Sequence, residues 1–195
     1  MKKLPLSFYT HHDVLWTAQQ LLGKVLMTNI EGEKTGGIII ETEAYRGPED
    51  KGSHAYNNKR TKRNEVMYSR GGIAYVYRCY GIHNLFNVVT NEHDIPHAVL
   101  IRALYPVEGI GTMLKRRQKK RQDAKLTSGP GTLTQALGIT TQDNGESLLG
   151  SRIWLEDKGY TLDPSDILIG PRIGIDYAGE HALLPWRFRI KWKET

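Results

Sequence analysis

The chain breaks into short runs of β-branched and aromatic residues separated by glycine-rich polar stretches, and only a few segments carry the spacing of an amphipathic helix. Asp13 is placed to cap a helix from Val14 to Leu22, with Leu15, Ala18, Leu21 and Leu22 as its apolar stripe and Gly23 as its stop. Lys24 to Ile30 reads as a strand. Glu31 to Gly37 then reads as a turn leading into a second strand, Ile38 to Tyr45, which Gly47-Pro48 ends. Further strands are predicted at Ala74–Gly81, Leu85–Thr90, Ala98–Ala103, Arg152–Glu156, Ile167–Ile169, Ile173–Ile175 and Trp186–Trp192. Pro106 is expected to begin a helix that turns Val107, Ile110 and Leu114 inward. A glycine-rich turn, Ser128 to Gly131, leads into a short helix, Thr132 to Leu137, closed by Gly138. Strands outnumber helices and the early ones look hairpin-connected. The expected fold is α+β: one domain over residues 1–195, with a curved, mainly antiparallel sheet and helices packed outside it.

The Ile38–Tyr45 strand carries the first chemical signal. Strict alternation puts Ile38, Ile40, Thr42 and Ala44 on one face and Ile39, Glu41, Glu43 and Tyr45 on the other. Two carboxylates and a phenol thus end an otherwise apolar strand. A solvent-facing edge with two ordinary glutamates is one reading; a carboxylate held beside apolar and aromatic groups, as a general base with a raised pKa, is the other. Tyr75 and Tyr77 share a face of their strand, and Tyr80 falls where that strand gives way to a turn. Asn87 is the only amide in an apolar run and needs a hydrogen-bond partner if buried. Arg102, near the end of its strand, reads either as a snorkelling surface residue or as a partner for a carboxylate.

Composition narrows the class. With 39% hydrophobic and 25% charged residues the chain reads as an ordinary soluble globular protein. Cys79 is the only cysteine, so neither an intrachain disulfide nor a thiolate cluster can form. The opening residues lack a signal-peptide core and no apolar run approaches a membrane span, so neither export nor insertion is expected, and a cytoplasmic location is. The net charge is +6, and its placement is uneven. Lys115 to Lys125 holds seven basic residues against Asp123, which leaves the rest of the chain balanced at 20 basic and 20 acidic. A second cluster comprises Lys59, Arg60, Lys62, Arg63 and Arg70. Such clusters suit a phosphate backbone, or a solvated surface.

Six stretches together resemble the alkyladenine (3-methyladenine) DNA glycosylases of base-excision repair. They are Glu41-Thr42-Glu43-Ala44-Tyr45 with Gly47-Pro48-Glu49-Asp50 and His54; Arg63-Asn64 with Met67; Tyr75-Val76-Tyr77 with Tyr80-Gly81 and Asn87; Leu100 to Leu104; Ser128-Gly129-Pro130 with Gln135-Ala136-Leu137; and Arg172-Ile173-Gly174 with Pro185 to Phe188. The resemblance implies a monofunctional glycosylase that flips alkylated purines out of double-stranded DNA and hydrolyses the N-glycosidic bond, without metal or organic cofactor and without lyase activity. It implies Glu43 as the general base and Arg102 as the arginine that helps hold the attacking water. Tyr45, His54 and Tyr77 match the walls of the base pocket, and Asn87 matches the residue that crowds the purine 2-position. Tyr80 matches the side chain that fills the gap left by the flipped base. Arg63, Lys115, Arg116 and Arg117 are the candidate backbone contacts. The expected partner is duplex DNA containing damaged purines, bound by a monomer, nucleoid-associated if the cell is bacterial. Lys62 stands where the family commonly has proline, and His83 to Phe86 differs from its usual residues. 3-Methyladenine and 7-methylguanine are therefore stronger expectations than hypoxanthine or ethenoadenine.

Two other classes predict different behaviour. A non-catalytic nucleic-acid-binding module would use the basic clusters and tyrosines alone. A metal-dependent hydrolase would draw on His93, Asp94 and His97, or on His11-His12-Asp13, although Pro96 argues against a helix aligning the first set.

Overall fold

A computed structural model describes residues 2–191. Its elements, in order, are β1 (Lys2–Lys3), α1 (Leu6–Tyr9), α2 (Val14–Gln20), β2 (Val25–Ile30), β3 (Glu33–Arg46), β4 (Ala74–Cys79), β5 (His83–Thr90), β6 (His97–Glu108), α3 (Ile110–Arg116), α4 (Pro130–Leu137), β7 (Ile153–Asp157), β8 (Ile167–Gly170) and β9 (Arg187–Ile190). The strands join one sheet in the order β1-β7-β2-β3-β6-β5-β4, with β9 pairing β3 and β8 pairing β9. Every named pairing is antiparallel, as expected for this α+β class.

Alternation along β4 to β6 separates two apolar layers. Ala74, Val76, Phe86, Val88, Val99 and Ile101 pack against α1, α2 and α4 through Tyr9, Val14, Ala18, Leu133 and Leu137. Tyr75, Val89 and Ala98 face the other way, under the irregular 47–72 segment, where Ala55, Met67 and Tyr68 close over them. Asp13 Oδ1 accepts the Leu15 N–H at 2.9 Å to start α2, and Thr42 Oγ1 donates to the Ala18 carbonyl at 2.8 Å, pinning that helix onto β3. The helices thus take one face and leave the other for a site.

β3 is longer and less regular than the sequence predicts. The β2–β3 turn is only Glu31-Gly32, both at positive φ, so Gly36 and Gly37 lie inside the strand and not in the turn. A Cβ on Gly37 would meet Leu104 Cβ at 2.9 Å and the Tyr105 carbonyl oxygen at 3.0 Å, which is why glycine sits in the ladder there. Ile39 pairs with Leu104 but Glu41 with Ala103, and Thr42 next pairs with Ile101, so Ile40 and Arg102 each drop out of the ladder. This double irregularity corrects the expected alternation: Ile39 shares the helix-covered layer with Ala44, while Ile38 packs with Val25, Met27 and Trp154.

Three other expectations fail on backbone grounds. Pro106 opens no helix; it lies within β6 at a register shift opposite Gly37, and α3 starts only after Gly109 in the left-handed region. Ile173–Ile175 is no strand, because Gly174 at φ 77° turns the chain there and a 3₁₀ segment, Asp176–Leu183, follows. The last predicted strand is β9; Trp192 lies outside the described residues.

Candidate active site

The site lies on the sheet face away from the helices, centred on Glu43. Its side chain is fully buried. Oε1 accepts the Ile173 backbone N–H at 2.8 Å, while Oε2 accepts the Tyr45 hydroxyl at 2.9 Å and lies 3.2 Å from Arg102 Nη1. Arg102, freed from the ladder by the bulge, forks between the two carboxylates: its Nε donates to Glu41 Oε1 at 3.3 Å. Arg187 Nη1 approaches that same Glu41 oxygen at 3.6 Å. Burial raises the Glu43 carboxyl above its ordinary pKa; Arg102, the Ile173 N–H and the Tyr45 hydroxyl pull it down without cancelling that effect, and Glu41 pushes it further up. Burial and the neighbouring Glu43 charge raise the Tyr45 phenol well above its usual range, so it stays protonated and donates.

Above Glu43 opens a cleft of about 740 Å³, the size range of small-molecule sites. Tyr45, Arg102 and Ile173 line it, so Glu43 sits just behind its wall. The other walls are aromatic. His54 meets Tyr77 edge-on at 4.7 Å, Tyr75 and Tyr77 lie 5.3 Å apart, and His54 Nδ1 shares a hydrogen bond with the Tyr75 hydroxyl at 2.9 Å. Burial, helped by Arg63, lowers the His54 pKa to about 4, so the ring is neutral at pH 7. Asn87 is buried and donates through Nδ2 to the Tyr75 carbonyl at 3.1 Å. Tyr80 stands at the mouth in the β4–β5 turn, 87% exposed and at φ 49°.

A buried ion pair ties the segments together. Asp50 and Arg172 are both fully buried in their side chains, and Arg172 donates through Nη1 and Nη2 to the two Asp50 oxygens. Arg172 also donates to the carbonyls of Ala44 and His181 and lies over the Tyr45 and Trp186 rings at 4.8 and 4.9 Å. It therefore joins β3, the 47–54 loop and the 172–181 segment, each of which supplies a wall of the site.

This chain matches the family model described as "Methylpurine-DNA glycosylase (MPG)" over residues 7–194. The chain belongs to that family. A Chlamydia abortus protein is 56% identical over 97% of this chain and 99% of its own length; a Bacillus licheniformis protein is 50% identical over 96% and 93%; a Desulfitobacterium hafniense protein is 47% identical over 98% and 96%. All three carry provisional names as 3-methyladenine DNA glycosylases. The activity of the family is that of a DNA glycosylase, and its substrate is DNA.

Within this family member, the predicted residues divide in two. Tyr45, His54, Arg63, Tyr77, Tyr80, Asn87 and Arg102 line one cleft with Glu43 behind it. Lys115, Arg116 and Arg117 lie on and just after α3 and do not line that cleft. Arg116 is turned inward, donating to the carbonyls of Ile30 and Ala136, both at 3.3 Å, and to Thr35 Oγ1 at 3.5 Å. Arg117 donates to Gln135, and Lys115 is exposed.

Three contributors lie within the matched stretches but receive no role from sequence. Ile173 acts through its backbone N–H, which no side-chain pattern reveals. Asp50, between Glu49 and Lys51, and Arg172 lie far apart in the sequence, and only the fold makes them a pair. His93 pairs with Asp94, which Arg60 holds, while His97 is buried against Asn91. Among the described residues no group of three His, Cys, Asp or Glu side chains is placed to hold a metal ion, and no helix is long and apolar enough to cross a membrane.

Proposed function

We propose that the chain is a single-domain, monofunctional 3-methyladenine DNA glycosylase that extrudes an alkylated purine into the tyrosine-lined cleft and hydrolyses its N-glycosidic bond with water activated by Glu43. The observation that carries this reading is the buried Glu43 carboxylate, held by Arg102, Tyr45 and the Ile173 N–H directly behind an aromatic cleft. Glu43 takes a proton from water as the water oxygen bonds C1′ of the deoxyribose. The C1′–N bond breaks, its electron pair leaves with the purine, and a free base and an abasic site result. Arg102 helps hold the water, and the carboxylate stabilises the oxocarbenium-like charge that develops on the sugar.

Chemistry on a stacked base requires extrusion, which costs a few kcal/mol, less for a damaged pair. Tyr80, exposed on its turn, is the wedge that fills the gap. Tyr45 and Tyr77 receive the base, stacking being worth roughly 1–3 kcal/mol per base. His54, neutral and engaged at Nδ1 by Tyr75, presents its other nitrogen to the purine edge. Asn87 crowds the 2-position and disfavours guanine. Arg63 and Lys115 contact the phosphate backbone. 3-Methyladenine and 7-methylguanine are the first substrates, with hypoxanthine and ethenoadenine weaker. The chain works as a monomer in the cytoplasm without cofactor, and without lyase activity because, among the described residues, no lysine lines the cleft as a Schiff-base nucleophile.

The test is release of free base from methylated duplex DNA with EDTA present. Wild type is expected to release 3-methyladenine or 7-methylguanine and leave alkali-labile abasic sites. Glu43→Gln is expected to bind the lesion but lose excision by about 10²–10⁴-fold, the usual worth of a general base. Near-normal turnover by that variant would remove Glu43 from the mechanism.

A further inference from the structure

Taking Glu43 as the catalytic base, we propose that Tyr45 and Glu41 act as opposed positioning residues that set how readily Glu43 gives up and takes its proton. Tyr45 holds the carboxylate form through its hydroxyl; Glu41 opposes it by drawing Arg102 away and by its own charge.

The geometry that carries this is the distribution of donors over the two Glu43 oxygens. Oε2 accepts the Tyr45 hydroxyl at 2.9 Å and is ion-paired with Arg102, whose Nη1 lies 3.2 Å away. Oε1 accepts the Ile173 N–H alone at 2.8 Å, so a lone pair on Oε1 is left for the water. The oxygen that receives the proton is therefore the one Tyr45 does not touch. Glu41, Glu43 and Tyr45 share a face because they lie two apart on the strand, and the bulge releases Arg102 from the ladder beside them. Arg102 cannot serve Glu43 fully while its Nε is held by Glu41.

The groups around Glu43 come from every neighbouring element. Glu41 and Tyr45 lie on β3 itself and Arg102 on β6, while the Ile173 N–H comes from the loop after β8. Arg187 on β9 acts through Glu41, at 3.6 Å, and Tyr77 on β4 and Arg172 act on Tyr45. Glu43 itself is fully buried, so a single hydrogen bond or charge upon it weighs more than at a surface.

Two substitutions then move Glu43 in opposite directions. Tyr45→Phe keeps the ring and removes one donor from the carboxylate, which favours its protonated form. Glu41→Gln removes a like charge and releases Arg102, which favours the ionised form. The experiment follows the side-chain carboxyl signals of ¹³C-glutamate-labelled full-length protein by NMR across pH, with Glu43→Gln to assign the Glu43 resonance. The expected result is a titration midpoint higher than wild type in Tyr45→Phe and lower in Glu41→Gln. Arg187→Gln, which removes a positive charge that faces Glu41 and lies opposite Glu43 in the β3–β9 ladder, is expected to raise the midpoint and serves if either first variant does not fold.

No movement in these variants, or movement of Tyr45→Phe and Glu41→Gln in the same direction, overturns the inference. Single-turnover base release is measured across the same pH range, and its acid limb should follow the NMR midpoints. If the midpoints separate as expected but the acid limb does not follow them, Glu43 is not the base and the assignment above fails, while the network around it stands.

Discussion

Replacing Asp50 by Asn isolates the contribution of the buried ion pair that joins the walls of the site. In the native chain Asp50 accepts from both terminal nitrogens of Arg172, from the Gly52 N–H at 2.8 Å and from the Arg46 N–H at 3.3 Å. Asparagine has nearly the same shape, but one oxygen becomes an amide that can only donate. That amide must then face a guanidinium or a backbone N–H, and the Arg172 charge loses its counter-ion where its side chain has no exposure to water. Removing one partner of a buried pair destabilises by about 3–5 kcal/mol. For a chain of this length each kcal/mol shifts Tm by about 2–4 °C, so the melting temperature should fall by about 6–20 °C. A calorimetric scan and urea unfolding of wild type, Asp50→Asn, Arg172→Met and the double variant measure it, and the double should lose less than the sum of the singles because each charge is a burden only without the other. A fall under about 2 °C, or strict additivity, would refute the claim that this pair holds the site together.

Tyr80→Ser should leave stability unchanged, since the ring is almost fully exposed, yet weaken lesion binding roughly five- to hundredfold, in line with about 1–3 kcal/mol of stacking; unchanged affinity by titration of lesion-containing duplex would exclude a wedge. Lys115→Ala should reduce the slope of log affinity against log salt by about 1 without changing Tm, whereas Arg116→Ala should lower stability by about 1–3 kcal/mol because two carbonyls lose their donor. Equal effects of the two substitutions on both readouts would contradict the inward placement of Arg116. His54 should titrate with a midpoint near 4 by NMR, against the ordinary 6.5. Because the unfolded chain binds that proton first, the contribution of His54 to stability is complete above pH 6.5 and is lost as pH falls from 6.5 towards 4. His54→Phe should flatten the pH dependence of unfolding in that window, and an unchanged profile would place the ring in a wetter setting.

Much of this protein was readable without coordinates because local rules decide it. Period-two runs located most strands, Asp13 and Gly23 bracketed α2, and the cluster Glu43, Tyr45, Tyr77 and Asn87 stood out as polar or aromatic groups on apolar strands. Reading failed where a residue's partner lies far along the chain. Gly36 and Gly37 look like a turn, but they lie in a strand, and Leu104 leaves no room for a Cβ at Gly37. Pro106 looks like a helix start, but a register shift lets it stay in β6. The basic run from Lys115 looks like one patch, yet Arg116 turns to carbonyls and Arg117 to a glutamine while Lys115 and Arg121 stay in solvent. The sequence by itself thus determined the fold class and, through a family resemblance, named the side chains proposed for excision. Only the tertiary structure decided the bulge that drops Arg102 from the ladder beside Glu43, the pairing of Asp50 with Arg172, and the Ile173 N–H on the carboxylate. The reason is physical: those contacts join segments up to 130 residues apart, and burial, which perturbs the Glu43 proton, exists only once they have closed.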